Sequence, residues 1–249
     1  MEGPERGPRS DRDDEATLGA LRTGELEILG LLPRSSNYTF LTRVRTGDGD
    51  DTDLLGVYKP RAGETPLWDF PDGTLCGREV AAYTVSHALG WPRVPPTVLR
   101  EGPEGVGSLQ RFLEFDPGEH YFTLRPGRDD VYRKIALFDA VVNNADRKGG
   151  HTLLAKDGDI FVIDHGVCFS TAPKLRTVIW DFAGEPIPPE LSTDLERLRT
   201  RVSGDLRPEL AELLHPAEID AIAERIRRLL AEGCFPQPVS ERAYPWPPV

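Results

Sequence analysis

Strand-like patterns dominate the first 115 residues, with one helix among them, and helical spacing dominates from Asp129 onward, with one hairpin among it. A chain patterned that way builds a small sheet-rich lobe and then a mainly helical one, an α+β fold in two lobes. Glu25–Gly30 reads as a strand preceded by a short helix or turn. Tyr38, Phe40 and Val44 keep a period of two beyond the turn-forming stretch Pro33–Asn37, which predicts a hairpin. Gly47–Asp53, with four aspartates and two glycines, is a second turn, and Leu54–Lys59 is a third strand that Pro60 ends. Val80, Tyr83, Val85, Ala88 and Leu89 predict a helix over 77–90, stopped by Gly90 and Pro92. Val94–Leu99 and Gly107–Phe115 add two strands around a glycine-rich turn.

In the second half, Val131, Ile135, Phe138, Val141 and Val142 form the apolar stripe of a helix. The polar loop Asn143–Gly150 follows, then a hairpin, Thr152–Ala155 and Ile160–Ile163, closed by Lys156-Asp-Gly-Asp159. Glu190–Glu232 reads as helical, with Gly233 as its stop. The expected boundaries are a disordered tail over 1–17, lobes over 18–115 and 116–234, and an extended proline-rich tail over 235–249. His87 and Trp91 are expected in the core.

Charge limits the partners. Lysine and arginine number 30 against 41 acids, a net charge of −11, which opposes nucleic acid and anionic membranes as default partners. No apolar run approaches the roughly 18 residues that cross a bilayer, so no integral membrane association is expected. Cys76, Cys168 and Cys234 are too scattered for a disulfide framework or a zinc knuckle, and the first sixteen residues contain no apolar leader. Those features predict a cytoplasmic protein.

Two acids flank the second hairpin. Asp146 stands in the loop before it, and Asp164 follows a strand too apolar to be solvated, so each projects from a strand end and Asp164 needs a cationic or metal partner. The bland alternative for each is a turn-capping aspartate. Lys59, one of only five lysines, ends an apolar strand and needs an anion, either Glu79 on the following helix or a ligand phosphate. Its bland alternative is a strand-end lysine reaching solvent.

This order of parts resembles the phosphatidylinositol 3- and 4-kinase-like superfamily with its HipA-type bacterial relatives and, more closely, a group of actinobacterial proteins usually assigned to it. The resemblance covers about residues 26–182. It rests on Gly56-Val-Tyr-Lys-Pro60, on Arg78-Glu-Val-Ala-Ala-Tyr83 with Val94-Pro-Pro-Thr97, and on Asn143-Asn-Ala-Asp-Arg147 with Val162-Ile-Asp-His-Gly166. It implies a protein-kinase-like fold that binds ATP with magnesium or manganese and moves the γ-phosphate to an unidentified hydroxyl acceptor.

By the same resemblance Lys59 contacts the α- and β-phosphates and Glu79 pairs with it. Arg34, Ser35, Ser36 and Asn37 form the turn that covers the phosphates, and backbone groups around Gln110, Phe112 and Leu113 receive the adenine. Asp146 orients the acceptor and takes its proton, while Asp164 binds the metal. Arg34, Lys59, Arg147 and Lys148 are expected to make the cleft basic despite the acidic total.

Two departures stand out. The covering turn has no glycine, and His151 occupies the place of a metal-binding asparagine. Imidazole suits manganese or zinc better than magnesium, so His151 is carried as a candidate second metal ligand. Three rival readings remain: a pseudokinase that holds nucleotide without transfer, a nucleotidyl transferase, and a metal-dependent hydrolase using Asp146, His151, Asp164, His165 and His120.

Overall fold

The computed structural model describes residues 11–33, 37–46 and 54–249. Helix α1 (Asp11–Thr23) opens it, so residues 11–17 of the expected disordered tail over 1–17 are helical, and 1–10 lie outside the described residues. Leu18 and Leu21, one helical turn apart, are 6% and 0% exposed. Arg100 closes the other end, its Nη1 donating to the carbonyls of Leu21 and Gly24 at 2.8 Å each.

Strands β1 (Glu25–Leu31), β2 (Phe40–Arg45), β3 (Leu54–Pro60), β4 (Thr97–Gly102) and β5 (Gly105–Arg111) form one antiparallel sheet in the order β1-β2-β3-β5-β4. Lys59 faces Ser108 across the β3–β5 ladder. A Cβ on the neighbouring Gly107 would lie 2.5 Å from the Lys59 carbonyl oxygen and 2.7 Å from Pro60 Cα, so only glycine lets β5 approach the lysine-bearing strand end.

Helix α2 (Leu75–Leu89) lies over β4 and β5 and is buried on every face except at His87. His87 is therefore exposed rather than in the core, with its ring 5.7 Å from that of Tyr83. Trp91 is buried as expected, and its indole donates to Asp194 Oδ2 at 2.7 Å. The helix starts two residues before the predicted 77 because Glu64, from the preceding loop, accepts the N–H groups of Leu75 and Cys76 at 3.1 and 2.8 Å. Gly90, at φ +89°, ends it as predicted.

The second lobe contains α3 (Tyr121–Leu124), α4 (Asp129–Val142), the hairpin β6 (Thr152–Leu154) and β7 (Ile160–Val162), then α5 (Pro189–Ser203), α6 (Arg207–Ala211) and α7 (Pro216–Glu232). Helices α4 and α5 both pack on α7, and one apolar cluster runs from Leu18 to Phe235. Each fully buried leucine or isoleucine in it contributes about 1.5–3 kcal/mol. Arg78 ties the lobes together: it is 1% exposed and donates at 2.6 Å both to the Cys168 carbonyl and to Glu218 of α7. The last fifteen residues carry only a short 3-10 turn, yet Ala243 is buried and the Pro248 carbonyl accepts the Gly149 N–H at 2.7 Å. Among the described residues no helix is long and apolar enough to cross a membrane.

Candidate active site

Strand β3 carries Lys59 to the mouth of the cleft, where its ammonium bonds Glu79 Oε1 and, at 3.0 Å, Asp164 Oδ1. Glu79 is 3% exposed, and its other oxygen accepts the backbone N–H of His165 at 3.0 Å. One carboxylate thus ties the lysine strand of the first lobe to the Asp164 turn of the second. Asp164 itself adopts φ +63°, an uncommon conformation for a residue with a Cβ, which costs on the order of 1 kcal/mol.

Asp146 is placed by the end of α4. Asn143 adopts φ +54°, donates to the carbonyls of Ser170 and Ala172 at 2.9 and 2.7 Å, and accepts the Lys174 N–H at 2.9 Å. Asn144 accepts the Asp146 N–H at 2.9 Å. Both amides are thereby spent on holding the loop, while the Asp146 carboxylate stays half-buried with Lys148 Nζ 3.3 Å from Oδ2.

Lys59, Glu79, Asp146, Lys148, His151 and Asp164 line one cavity of about 490 Å³, together with Asn37, Trp68 and Arg176. The sequence candidates for phosphate, acceptor and metal therefore converge. Asn37 holds the rim, its Oδ1 accepting the Thr65 N–H at 2.7 Å. Arg34, Ser35 and Ser36 lie outside the described residues. Gln110, Phe112 and Leu113 do not line this cavity. Gln110 donates to the buried Thr97 hydroxyl at 2.9 Å, the Phe112 N–H is given to the Leu55 carbonyl at 2.9 Å, and Leu113 is buried.

Electrostatics separates the two aspartates. The Lys59 ammonium holds the Asp164 carboxyl far below the usual carboxylate range, against the cost of burial. Burial disfavours the Lys59 ammonium, but Asp164 and Glu79 outweigh it and push its pKa above the ordinary lysine value. Burial raises Asp146, with Lys148 pulling the other way. One acid is thus a fixed anion and the other a carboxyl biased toward taking a proton.

Arg147 corrects the expected basic cleft. It turns inward, is wholly buried, and grips Asp139 of α4 through Nε and Nη2 at 3.0 and 2.9 Å. Sequence reading missed this pair, although an acid between Phe138 and Ala140 on a buried helix face was a signal. It also missed Arg176, which no local pattern distinguishes.

His165 also faces inward, its Nε2 2.7 Å from Arg147 Nη2, and His120 does not line the cavity. The hydrolase ligand set is therefore not assembled. Among the described residues no group of three or more His, Cys, Asp or Glu could hold a metal ion. Asp146 and Asp164, which line the cavity, are hard oxygen donors. They fit a magnesium- or manganese-type cation that completes its shell with phosphate oxygens and water.

No family model matches this chain. The fold is the two-lobed kinase-like α+β fold: a Golgi casein kinase structure with Mn/ADP bound superposes with a TM-score of 0.56 at 15% identity, over 97% of this chain and 81% of that one. A phosphatidylinositol 4-kinase gamma 4 from Oryza sativa subsp. japonica is 34% identical over 140 residues, 45% of this chain. The match spans only 24% of that plant protein. Protein Rv2133c of Mycobacterium tuberculosis H37Rv is 40% identical over 271 aligned positions, covering 95% of this chain and 96% of its own. With a sheet lobe, a helical lobe and this cleft between them, the chain belongs to the family of Rv2133c.

Proposed function

We propose that this chain is an ATP-dependent phosphotransferase of the phosphatidylinositol 3-/4-kinase-like kind, moving the γ-phosphoryl group to a hydroxyl acceptor. The observation that carries the reading is the Lys59–Glu79–Asp164 linkage across the two lobes, with Asp146 in the same cavity. Lys59 neutralises the α- and β-phosphates, and Glu79 sets its position. Asp164 holds the cation, with Asn37 on the rim that covers the nucleotide. A bound magnesium or manganese ion supplies charge neutralisation for the phosphates. Asp146 accepts the hydroxyl proton as the acceptor oxygen bonds to the γ-phosphorus and the bond to the β-bridging oxygen breaks, releasing ADP. Adenine would meet the backbone near Gln110–Leu113 beyond the cavity. The Mn/ADP of the Golgi casein kinase and the activity named for the plant relative support this chemistry by likeness of fold and of partial sequence.

The test pairs binding with transfer. Millimolar ATP or ADP with magnesium or manganese should raise the melting temperature, an effect of about 2.7 kcal/mol at 100 times Kd. No metal-dependent shift would end the proposal. Asp146→Asn should keep that shift and lower ATP turnover by about 10²–10⁴-fold. Equal rates in variant and wild type would leave a nucleotide-holding pseudokinase instead.

A further inference from the structure

Beside the catalytic cavity lies a second, larger one of about 710 Å³, lined by α7, by the segment 171–180 and by residues 236–243. The two cavities share Trp68 and Arg176 in their walls. Lys59 and Asp164, which meet nucleotide and cation in the phosphotransferase reading, line only the first, so the second has no occupant in that reading.

Arg176 is fixed at the junction by its backbone. Its N–H donates to the Asn144 carbonyl at 2.8 Å and its carbonyl accepts the Arg147 N–H at 2.9 Å, which lays it alongside the loop that carries Asp146. Residues 236–243 are tied to the same segment: the carbonyl of buried Ala243 accepts the Thr177 N–H at 3.0 Å and the Trp180 indole N–H at 3.2 Å. An acceptor held by its hydroxyl at Asp146 can extend past Arg176 into this groove.

The charge of the lining is opposite to that of the protein. Arg176, Arg225, Arg228 and Arg242 line it, and among the described residues none of the four has an acid within ion-pair distance. Arg225 spends Nε on the Val141 carbonyl at 2.7 Å and Nη1 on the Ser170 carbonyl at 3.2 Å, while its buried Nη2 has no partner among the described residues. Of the acids in the lining, Glu224 is taken by Arg227 at 2.8 and 2.7 Å, which leaves Glu232, and Lys174 is neutralised by Asp69. Four unpaired guanidiniums against one carboxylate give a positive groove in a chain whose total is −11, and such a field gathers acidic ligands.

That excess selects the ligand. A single phosphate brings about two negative charges and would leave the groove positive, whereas carboxylates spaced along a chain can meet cations that come from three segments. An anionic bilayer would be repelled by the rest of this acidic chain, and these arginines line a recess. Trp68 and Val239, 93% and 96% exposed, add apolar surface beside the charges.

We infer that this groove docks an acidic polypeptide and that the hydroxyl brought to Asp146 belongs to that polypeptide. The docking stands on the charge and place of the groove; the transfer rests on the phosphotransferase reading.

Fluorescence anisotropy of labelled peptides measures the docking without catalysis. A peptide with one serine flanked on both sides by glutamates should bind nucleotide-free protein about 3- to 150-fold more tightly than its glutamine version, as three exposed ion pairs allow, and should lose that margin in about 1 M salt. Arg228→Glu combined with Arg242→Glu should reverse the preference in favour of a lysine version. Equal binding of the glutamate, glutamine and lysine peptides would overturn the inference. So would tighter binding of a sugar phosphate, or of vesicles containing phosphatidylserine, than of the acidic peptide. With ATP and magnesium or manganese added, the serine of the acidic peptide should be phosphorylated with the same preference in kcat/KM. Docking and a nucleotide-dependent melting shift without phosphoserine would overturn the acceptor half alone. No metal-dependent nucleotide shift would overturn the phosphotransferase reading and the acceptor half with it, and anisotropy would still decide the docking. If the double variant does not fold, the wild-type preference and its loss in salt suffice.

Discussion

Arg147 follows Asp146 in the chain and faces the opposite way. Its guanidinium is wholly buried, bonded to Asp139, to the Ile163 carbonyl at 2.9 Å and to His165 Nε2. Guanidinium has no lone pair to accept with, so His165 is the acceptor and stays neutral; burial pushes its pKa well below the ordinary value, with Arg147 acting in the same direction. This charge pair braces the Asp146 loop against Ile163, just after β7. Asp139→Asn or Arg147→Met leaves a lone buried charge and should cost about 3–5 kcal/mol in denaturant unfolding. The double replacement should cost clearly less than the two singles combined, because neither charge is then stranded. Additive losses in that cycle would show that the two charges do not act as a pair.

Elements carry the residues to the cleft, and their ends decide the aim. Strand β3 stops at Pro60, α4 at left-handed Asn143, and α2 begins where Glu64 accepts its first N–H groups. The first of these ends was legible, because proline is its own signal. The start of α2 was not, since its cap comes from eleven residues upstream in the preceding loop. Helix α1 shows the same limit: its acidic start looks like a solvated tail until Leu18 and Leu21 find β4 and β5 beneath them. Leu21→Ala should therefore destabilise the protein by about 2–5 kcal/mol in a urea titration. A loss under about 0.5 kcal/mol would mean that α1 does not contribute to the core.

For the whole molecule, the two histidines under the cleft set a pH response. Burial lowers the pKa of His151 to about 4, against the opposing pull of Asp164, and lowers His165 in the same direction. Both pKa values are depressed on folding, so their contribution is complete above about pH 6.5, the unfolded value. Below it the unfolded chain takes up protons that the folded chain refuses, and stability falls until the pH passes the folded values. His151 alone accounts for on the order of 3 kcal/mol of that loss between about pH 6.5 and 4. Melting temperatures of the nucleotide-free protein should stay level from pH 8 to 6.5 and then drop, with His151→Asn dropping less. A level curve down to pH 4 would contradict the buried neutral rings.

The sequence by itself determined the segregation of strands from helices and singled out Lys59, Asp146 and Asp164, which stand at or just beyond the ends of patterned elements, with Glu79 on the following helix as the anion within reach of Lys59. Only the tertiary structure decided that Arg147 turns into the core while Lys148 stays in the cleft, and that α1 docks. Those outcomes depend on partners on other elements, Asp139 of α4 for Arg147 and β4 with β5 for α1. Burial and hydrogen-bond satisfaction choose such partners after the chain has packed, and no local periodicity encodes them.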